Sequence, residues 1–267
     1  MAAFTIGFIV PFVYGIFLSF CKFSTVTDWK WVGFKNYTRI FVVNGSVDTT
    51  FIHSIWYTAL FTVVSVLIIN IVSFAIAMAL TKGIRGTNLF RTVFFLPNLI
   101  GGIVLSYVWL MIFNSILQNY SKTIVSSEWS AFWGLIAVVC WQQIGYMMII
   151  YVAGLNNVSP DLIEAAQIDG ASSIQQFRYI TVPQVSPTTF FLAIMGIIGS
   201  FKVFDMISVL TAGGPGNSTS VMAYYIYKTA FTDFKMGYAC ALAWVLFLLI
   251  FAVTLVQWKF QDRFANE

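Results

Sequence analysis

The stretch Ser159-Pro160-Asp161-Leu162-Ile163-Glu164-Ala165-Ala166-Gln167-Ile168-Asp169-Gly170-Ala171 lies between two apolar runs, Ala131–Leu155 and Val185–Leu210. Each run is long enough to cross a bilayer, which takes about 20 mostly apolar residues. The stretch between them carries helix punctuation. Ser159 suits an N-cap and Pro160 the first helical position. Asp161 and Glu164 fall in the first turns, where the helix dipole favours anions. Gly170 stops the helix. Ser172 and Gln175 have capping-box spacing and predict a second short helix, after which Ile180-Thr181-Val182-Pro183 leads into the next run. Ala165 and Ala166 leave part of the first helix smooth, while Leu162, Ile163 and Ile168 offer apolar contacts. Such a helix suits a groove on a soluble partner. The alternative, an amphipathic helix lying on the membrane, is opposed by its acids and its lack of basic residues, since anionic lipid would repel it.

Outward from this loop the chain is apolar almost everywhere. Of 267 residues, 59% are hydrophobic and 9% charged, where a soluble domain has about 45–50% and 25%. Mean hydropathy is +0.85. This excludes a soluble globular enzyme, a disordered tail and a nucleic-acid binder. The cations form no cluster in sequence, so the net charge of +4 reads as loops rather than a phosphate-binding face. The apolar runs do not alternate strictly, which argues against a β-barrel. Six runs qualify as spans: Ala3–Phe20, Ile55–Leu80, Phe94–Leu117, Ala131–Leu155, Val185–Leu210 and Tyr238–Trp258. Val221–Phe231 is too short and reads as an interfacial helix, with Tyr224, Tyr225 and Tyr227 as boundary aromatics. The expected fold is an all-α membrane protein. The first run has no basic leader and no A-x-A site, so it reads as a membrane helix and not a cleaved signal; the chain opens almost inside it, which leaves room for a cytoplasmic tail missing from this sequence. Cys21, Cys140 and Cys240 match no metal or disulfide spacing and read as small core residues; His53 is the single histidine.

Six spans put both ends on one side. Lys82, Arg85 and Arg91 make the loop 81–93 the densest basic loop, which places it in the cytoplasm by the positive-inside rule. The full tally is nearly even. Lys82, Arg85, Arg91, Arg178, Lys259 and Arg263 fall inside. Lys22, Lys30, Lys35, Arg39, Lys122, Lys228 and Lys235 fall outside, diluted over longer loops.

Two further segments stand beside the loop. Trp31-Val32-Gly33-Phe34-Lys35-Asn36-Tyr37 follows the first span, and Leu210-Thr211-Ala212-Gly213-Gly214-Pro215 follows the fifth. The loop, with Glu164-Ala165-Ala166, Asp169-Gly170-Ala171 and Ile180-x-x-Pro183, resembles the EAA loop of ABC importer permeases, in the form of the carbohydrate-uptake, maltose-permease branch. The other two resemble that family's VGLxNY segment, with Phe34 in place of Leu, and its LTxGGP loop. The resemblance runs over nearly the whole chain in the same order. It implies the type I importer transmembrane fold, six helices with both termini inside, and a cytoplasmic coupling helix. The chain then divides into 1–53, the first helix and an extracytoplasmic loop; 54–258, a five-helix transmembrane domain with the coupling loop 156–184; and 259–267, a cytoplasmic tail.

The resemblance also implies partners: a second homologous permease, two ATPase subunits and an extracytoplasmic sugar-binding protein, in the lipid of a bacterial cytoplasmic membrane, with no nucleic acid. The chain has no G-x-x-x-x-G-K-[ST] run, and Gly213-Gly214-Pro215-Gly216 lacks the following Lys. ATP and Mg are therefore expected on partner subunits, with no cofactor, metal or catalytic residue in this chain. Glu164, Ala165, Ala166, Asp169, Gly170 and Ala171 would dock in an ATPase cleft, Glu164 pairing with a basic side chain. The bland alternative for Glu164 is a solvated acid at a helix start.

Polar residues at midplane depth are the other signal. Gln142 and Gln143 lie at the middle of the fourth span, with Tyr146 on an overlapping face and Trp141 just before. Two amides, a phenol and an indole suit a sugar: the first three hydrogen-bond hydroxyls and aromatic faces stack on pyranose C–H groups. Interhelical hydrogen bonding is the competing reading. In the fifth span Gly196, Gly199 and Ser200 open space and offer a hydroxyl. Related permeases carry polar side chains there, so two glycines leave the sugar open. Lys202 and Asp205, read one turn apart on that span, suggest a neutralised pair or pathway support. Asn70, Asn98 and Asn114 read as interhelical bonds or pathway lining, and Ala75 and Ala79 as a close-packing pair. A polyol or glycerol phosphate substrate, and an ion-coupled secondary sugar transporter, are the alternatives. Asp205 is the one acid within a span and no motif repeats, which disfavours the transporter.

Overall fold

In hydrocarbon only a helix can satisfy the backbone of a lone apolar segment, and the computed structural model of this chain is helical along nearly all of its length. It describes residues 2–25, 28–42, 48–83 and 85–265. The elements in order are α1 (Thr5–Ser19), a two-stranded hairpin β1 (Cys21–Lys22) and β2 (Lys30–Trp31), α2 (Lys35–Phe41), α3 (Thr49–Thr81), α4 (Thr87–Phe95), α5 (Gly102–Gln118), α6 (Glu128–Asn156), α7 (Pro160–Ile168), α8 (Ser173–Phe201), α9 (Met222–Tyr227) and α10 (Met236–Ala265). The strands are antiparallel, with Cys21 opposite Trp31 and Lys22 opposite Lys30. Four helices, α3, α6, α8 and α10, are long and apolar enough to cross a membrane; α4 with α5 makes a fifth if that bent pair is one span. The first expected span is a shorter apolar helix. Of the expected tail, residues 266–267 lie outside the described residues, and α10 continues past Trp258 to Ala265.

Two expected spans change shape. The third, Phe94–Leu117, is not one helix: α4 and α5 meet at 98°. Pro97 has no N–H to donate, Leu96–Leu99 tightens into a 3₁₀ turn, and Ile100 is extended. The fifth begins earlier and ends sooner than Val185–Leu210. A π-helical turn at Phe177–Thr181, closed by Val182 N donating to the Phe177 carbonyl, carries the helix into Pro183. The second short helix of the loop is thus the first turn of α8. Its far end stops at Phe201, with Lys202 as C-cap, and a separate π-helical turn forms over Ile207–Thr211. Lys202 and Asp205 therefore flank a break instead of sharing a helix turn, and they form no ion pair among the described residues.

The core centres on α6, which packs along α3, α4 and α8. Phe61, Leu135, Met148 and Leu192 are fully buried there. Polar side chains tie the same helices: Tyr151 Oη donates to Asn70 Oδ1 at 2.8 Å, and Ser73 Oγ donates to the Ile144 carbonyl at 2.9 Å. Asn70 is thus an interhelical residue. A second cluster joins Ile40, Phe51, Met222 and Leu242 around α10. The packed face of lower α3 runs through Ser73, Ala77 and Leu80, while Ala75 and Ala79 are exposed. The expected Ala75/Ala79 packing pair is absent within this chain, because that face of α3 points away from α6.

Candidate functional site

At one end of the bundle, α6 ends at Asn156 and Val158 tucks into the core. Ser159 takes the extended backbone of an N-cap, but its hydroxyl makes no capping bond. Pro160 opens α7 as its type suggests. At the other end of α7, Gly170 adopts φ +78°, a left-handed conformation that favours glycine. Asp169 N reaches the Ala165 carbonyl at 3.0 Å and Ala171 N the Ala166 carbonyl at 2.9 Å. Ser172 and Gln175 form the full reciprocal capping box, and Gln176 Nε2 donates to the Ala171 carbonyl at 2.9 Å. The turn between α7 and α8 is therefore a fixed corner. Ile163 anchors it on the core. Leu162, Glu164, Ala165 and Asp169 face outward, and Ile168 is 87% exposed. Glu164 has no side-chain partner among the described residues. A cleft of about 350 Å³ opens between the helices, lined by Ala166, Asp169, Gly170, Ala171, Gln175 and Tyr179.

The midplane residues separate into two groups. Gln142 is engaged: its Nε2 donates to the Ile100 carbonyl at 3.3 Å, at the bend where that carbonyl has left the helix. Trp141 packs edge-on to Trp109, centroids 5.3 Å apart. Gly196 is closed in, since a Cβ there would lie 3.2 Å from Val66 and 3.3 Å from Met147. Ser200 is buried and shares a hydrogen bond of 3.2 Å with Ser65. Gln143 is half-buried with no hydrogen-bond partner among the described residues, Tyr146 is exposed, and nothing approaches the Gly199 position within 4 Å. The fold does not gather all of them around one space.

The opposite end holds residues whose roles only the fold reveals. Asn36, inside the Trp31–Tyr37 segment, is buried and donates to the carbonyls of Ser19 at 2.8 Å and Cys21 at 2.9 Å. It satisfies the last carbonyl of α1, which no further helical turn would reach, and the Cys21 carbonyl of β1. Gly237 lets the start of α10 press against the Cys21 carbonyl. Asp48 caps α3 through Thr50 N and Phe51 N, and its other oxygen accepts from Tyr225 and Tyr238, both at 3.1 Å. Burial, then the negative charge of Asp48, push the Tyr225 phenol up to about 12. Tyr225 thus also acts as a strut, bracing the capped start of α3. The 210–215 segment is knitted into a turn: Thr219 Oγ1 lies 2.8 Å from both Gly214 O and Thr211 Oγ1, its one proton shared between the two acceptors. Cations scattered in sequence do converge here, contrary to the sequence expectation. Lys22, Lys30, Lys35, Arg39 and Lys235 line one cleft of about 820 Å³.

A model of the family described as binding-protein-dependent transport system inner membrane component matches residues 71–266. The chain belongs to this family. It is a permease, the membrane subunit of an ABC importer. The permease is 38% identical to the probable starch degradation products transport system permease protein AmyD of Thermoanaerobacterium thermosulfurigenes, over 93% of this chain and 86% of that one. It is 30% identical to the multiple sugar-binding transport system permease protein MsmF of Streptococcus mutans, over 96% and 90%. Its fold matches a chain in the structure of a bacterial alginate ABC transporter in complex with alginate pentasaccharide-bound periplasmic protein, with TM-score 0.79, 20% identity and coverage of 95% and 88%. The permease is accordingly an inner-membrane transport subunit.

Proposed function

We propose that the permease forms, with a second homologous permease, the membrane pathway for a neutral sugar or oligosaccharide delivered by an extracytoplasmic binding protein. Two partner ATPases hold ATP and Mg. The spans are α1, α3, α4 with α5, α6, α8 and α10, with both termini in the cytoplasm. The observation that carries this reading is the α7 corner: rigid inside, apolar and acidic outside, with Glu164 unpartnered. That corner suits a lever seated in an ATPase cleft, Glu164 meeting a basic side chain in a directional, charge-assisted bond. The sugar-linked names of two relatives and the periplasmic protein bound to the structural relative support the substrate class and the delivery partner. A phosphorylated substrate would call for Arg or Lys near the midplane, and Lys202 alone comes close. Gln143, Tyr146 and Gly199 are the residues left free to meet a sugar.

The test is the purified complex with Glu164→Ala, or with Gly170→Pro, which cannot adopt φ +78°. ATP hydrolysis should persist while sugar transport falls to a small fraction of wild type. Wild-type transport with either change removes the docking assignment. Uptake driven by an ion gradient without the ATPases removes the importer reading altogether.

A further inference from the structure

We propose that the cleft between the end of α1 and the start of α10 binds the phosphate headgroup of an anionic phospholipid. This goes beyond the transport reading and rests only on the chain lying in a membrane. The chain has 14 Lys and Arg residues, and five of them line this one cleft, against the single carboxylate of Asp28. So many cations at one place make an anion site out of loops that look diluted in sequence. Lys22, Lys30 and Lys35 have no carboxylate partner among the described residues. Arg39 lies over the Tyr238 ring, 5.0 Å from its centroid, and Lys235 is 3.8 Å from Asp233. The volume of about 820 Å³ falls within the roughly 300–1,000 Å³ of small-ligand sites.

Position selects lipid over a soluble partner. The cleft lies at the ends of two apolar helices, α1 and α10, which in a bilayer would put it near phosphate depth. An unbroken aromatic surface runs up to it from α1. Phe17 meets Trp29 at 5.2 Å and Trp31 at 5.7 Å, and Phe20 meets Trp31 at 5.5 Å and Phe34 at 5.2 Å. Trp29, Trp31, Phe34 and Phe234 are exposed, as aromatics at a membrane interface are. An acyl chain lying on α1 and these rings delivers its headgroup to the lysines. Basic pockets between membrane helices on the cytoplasmic side hold anionic headgroups, and the same charge chemistry applies at this opposite, extracytoplasmic end. The rim is fixed by the Asn36 bonds and by Gly237 against the Cys21 carbonyl.

The test uses the full chain in its purified complex, in bilayer discs of mixed phosphatidylglycerol and phosphatidylcholine, with tightly held lipid read by native mass spectrometry. Phosphatidylglycerol should be retained over phosphatidylcholine. Lys30→Gln/Lys35→Gln should lower its retention by about 5-fold per charge, roughly 25-fold in all, and Lys30→Arg/Lys35→Arg should restore it. Lys82→Gln/Arg85→Gln, at the other end of the bundle, should change nothing. Equal retention of both lipids by the wild type overturns the proposal, even if the variants fail to fold. Displacement of phosphatidylglycerol by millimolar inorganic phosphate also overturns it, assigning the cleft to a free anion. Unchanged lipid retention in Lys30→Gln/Lys35→Gln, with loss of stimulation by the binding protein, overturns it in favour of a protein-docking surface.

Discussion

Gly145 and Gly199 look alike in sequence, both glycines inside apolar spans, and the fold gives them opposite meanings. A Cβ at Gly145 would run into the backbone of Phe94 and Phe95, which cannot turn aside as a flexible side chain can. Gly145→Ala should therefore destabilise the chain by about 1–3 kcal/mol through overpacking, read as a lower melting temperature and less assembled complex. Gly199 meets nothing within 4 Å. Gly199→Ala should leave the melting temperature of the chain unchanged or raise it, since alanine favours a helix by up to about 1 kcal/mol over glycine. A melting temperature that falls equally in both variants means the close approach at Gly145 is wrong. Gly196 lies between the two, against the branch methyls of Val66 and the terminal methyl of Met147. Its surroundings are those of a packing residue.

The bend between α4 and α5 separates the two amides of α6. Gln142 supports the bend through the Ile100 carbonyl, so Gln142→Leu leaves that carbonyl unpaired at a cost of about 1–3 kcal/mol. The expected result is less stable complex with unchanged transport per complex. Gln143 has no such duty. Gln143→Leu should keep stability and lower sugar transport per complex by roughly 2- to 13-fold, the loss of one hydrogen bond, while sugar-independent ATP hydrolysis continues. Identical behaviour of the two variants sinks this division. The same bend shows what the sequence discloses. Apolar runs and the Ser172/Gln175 capping box are local, so membrane helices and the α7 corner are legible from residues alone. Breaks are not local. Pro97 and Pro187 stand in apolar runs and Pro183 just before one, yet the sharp bend follows Pro97, while α8 runs through the other two. What decides is the partner: Gly145 and Gln142 come from a different helix. The basic cleft is hidden for the same reason, since its lysines come from both ends of the chain. Ser159 shows the converse, a good capping residue whose side chain makes no cap.

At the scale of the molecule, burial is uneven. More than half of the apolar window of α6, 56%, is buried inside the chain, but only 17% of that of α8. The open side of α8 runs through Phe191, Met195 and Gly199 at helical spacing and ends at exposed Lys202. Lipid tails tolerate Phe and Met, but a charge at the end of the stripe argues for protein or water on this side. That face is where a second permease would close the pathway. In a background lacking Cys21, Cys140 and Cys240, Met195→Cys should cross-link to another membrane subunit of the purified complex, whereas Leu192→Cys, fully buried against the core, should not. A face turned to lipid gives a different pattern: Met195→Cys reacts with membrane-soluble thiol reagents and no subunit is captured. The chain by itself should show no nucleotide hydrolysis in either case. Its glycine-rich 213–216 segment is occupied by the hydrogen bonds of Thr219 and Gly214, which makes it a closed turn. Cross-linking through α8 together with hydrolysis only in the assembled complex is the pair of results that half a pathway, driven from outside itself, requires.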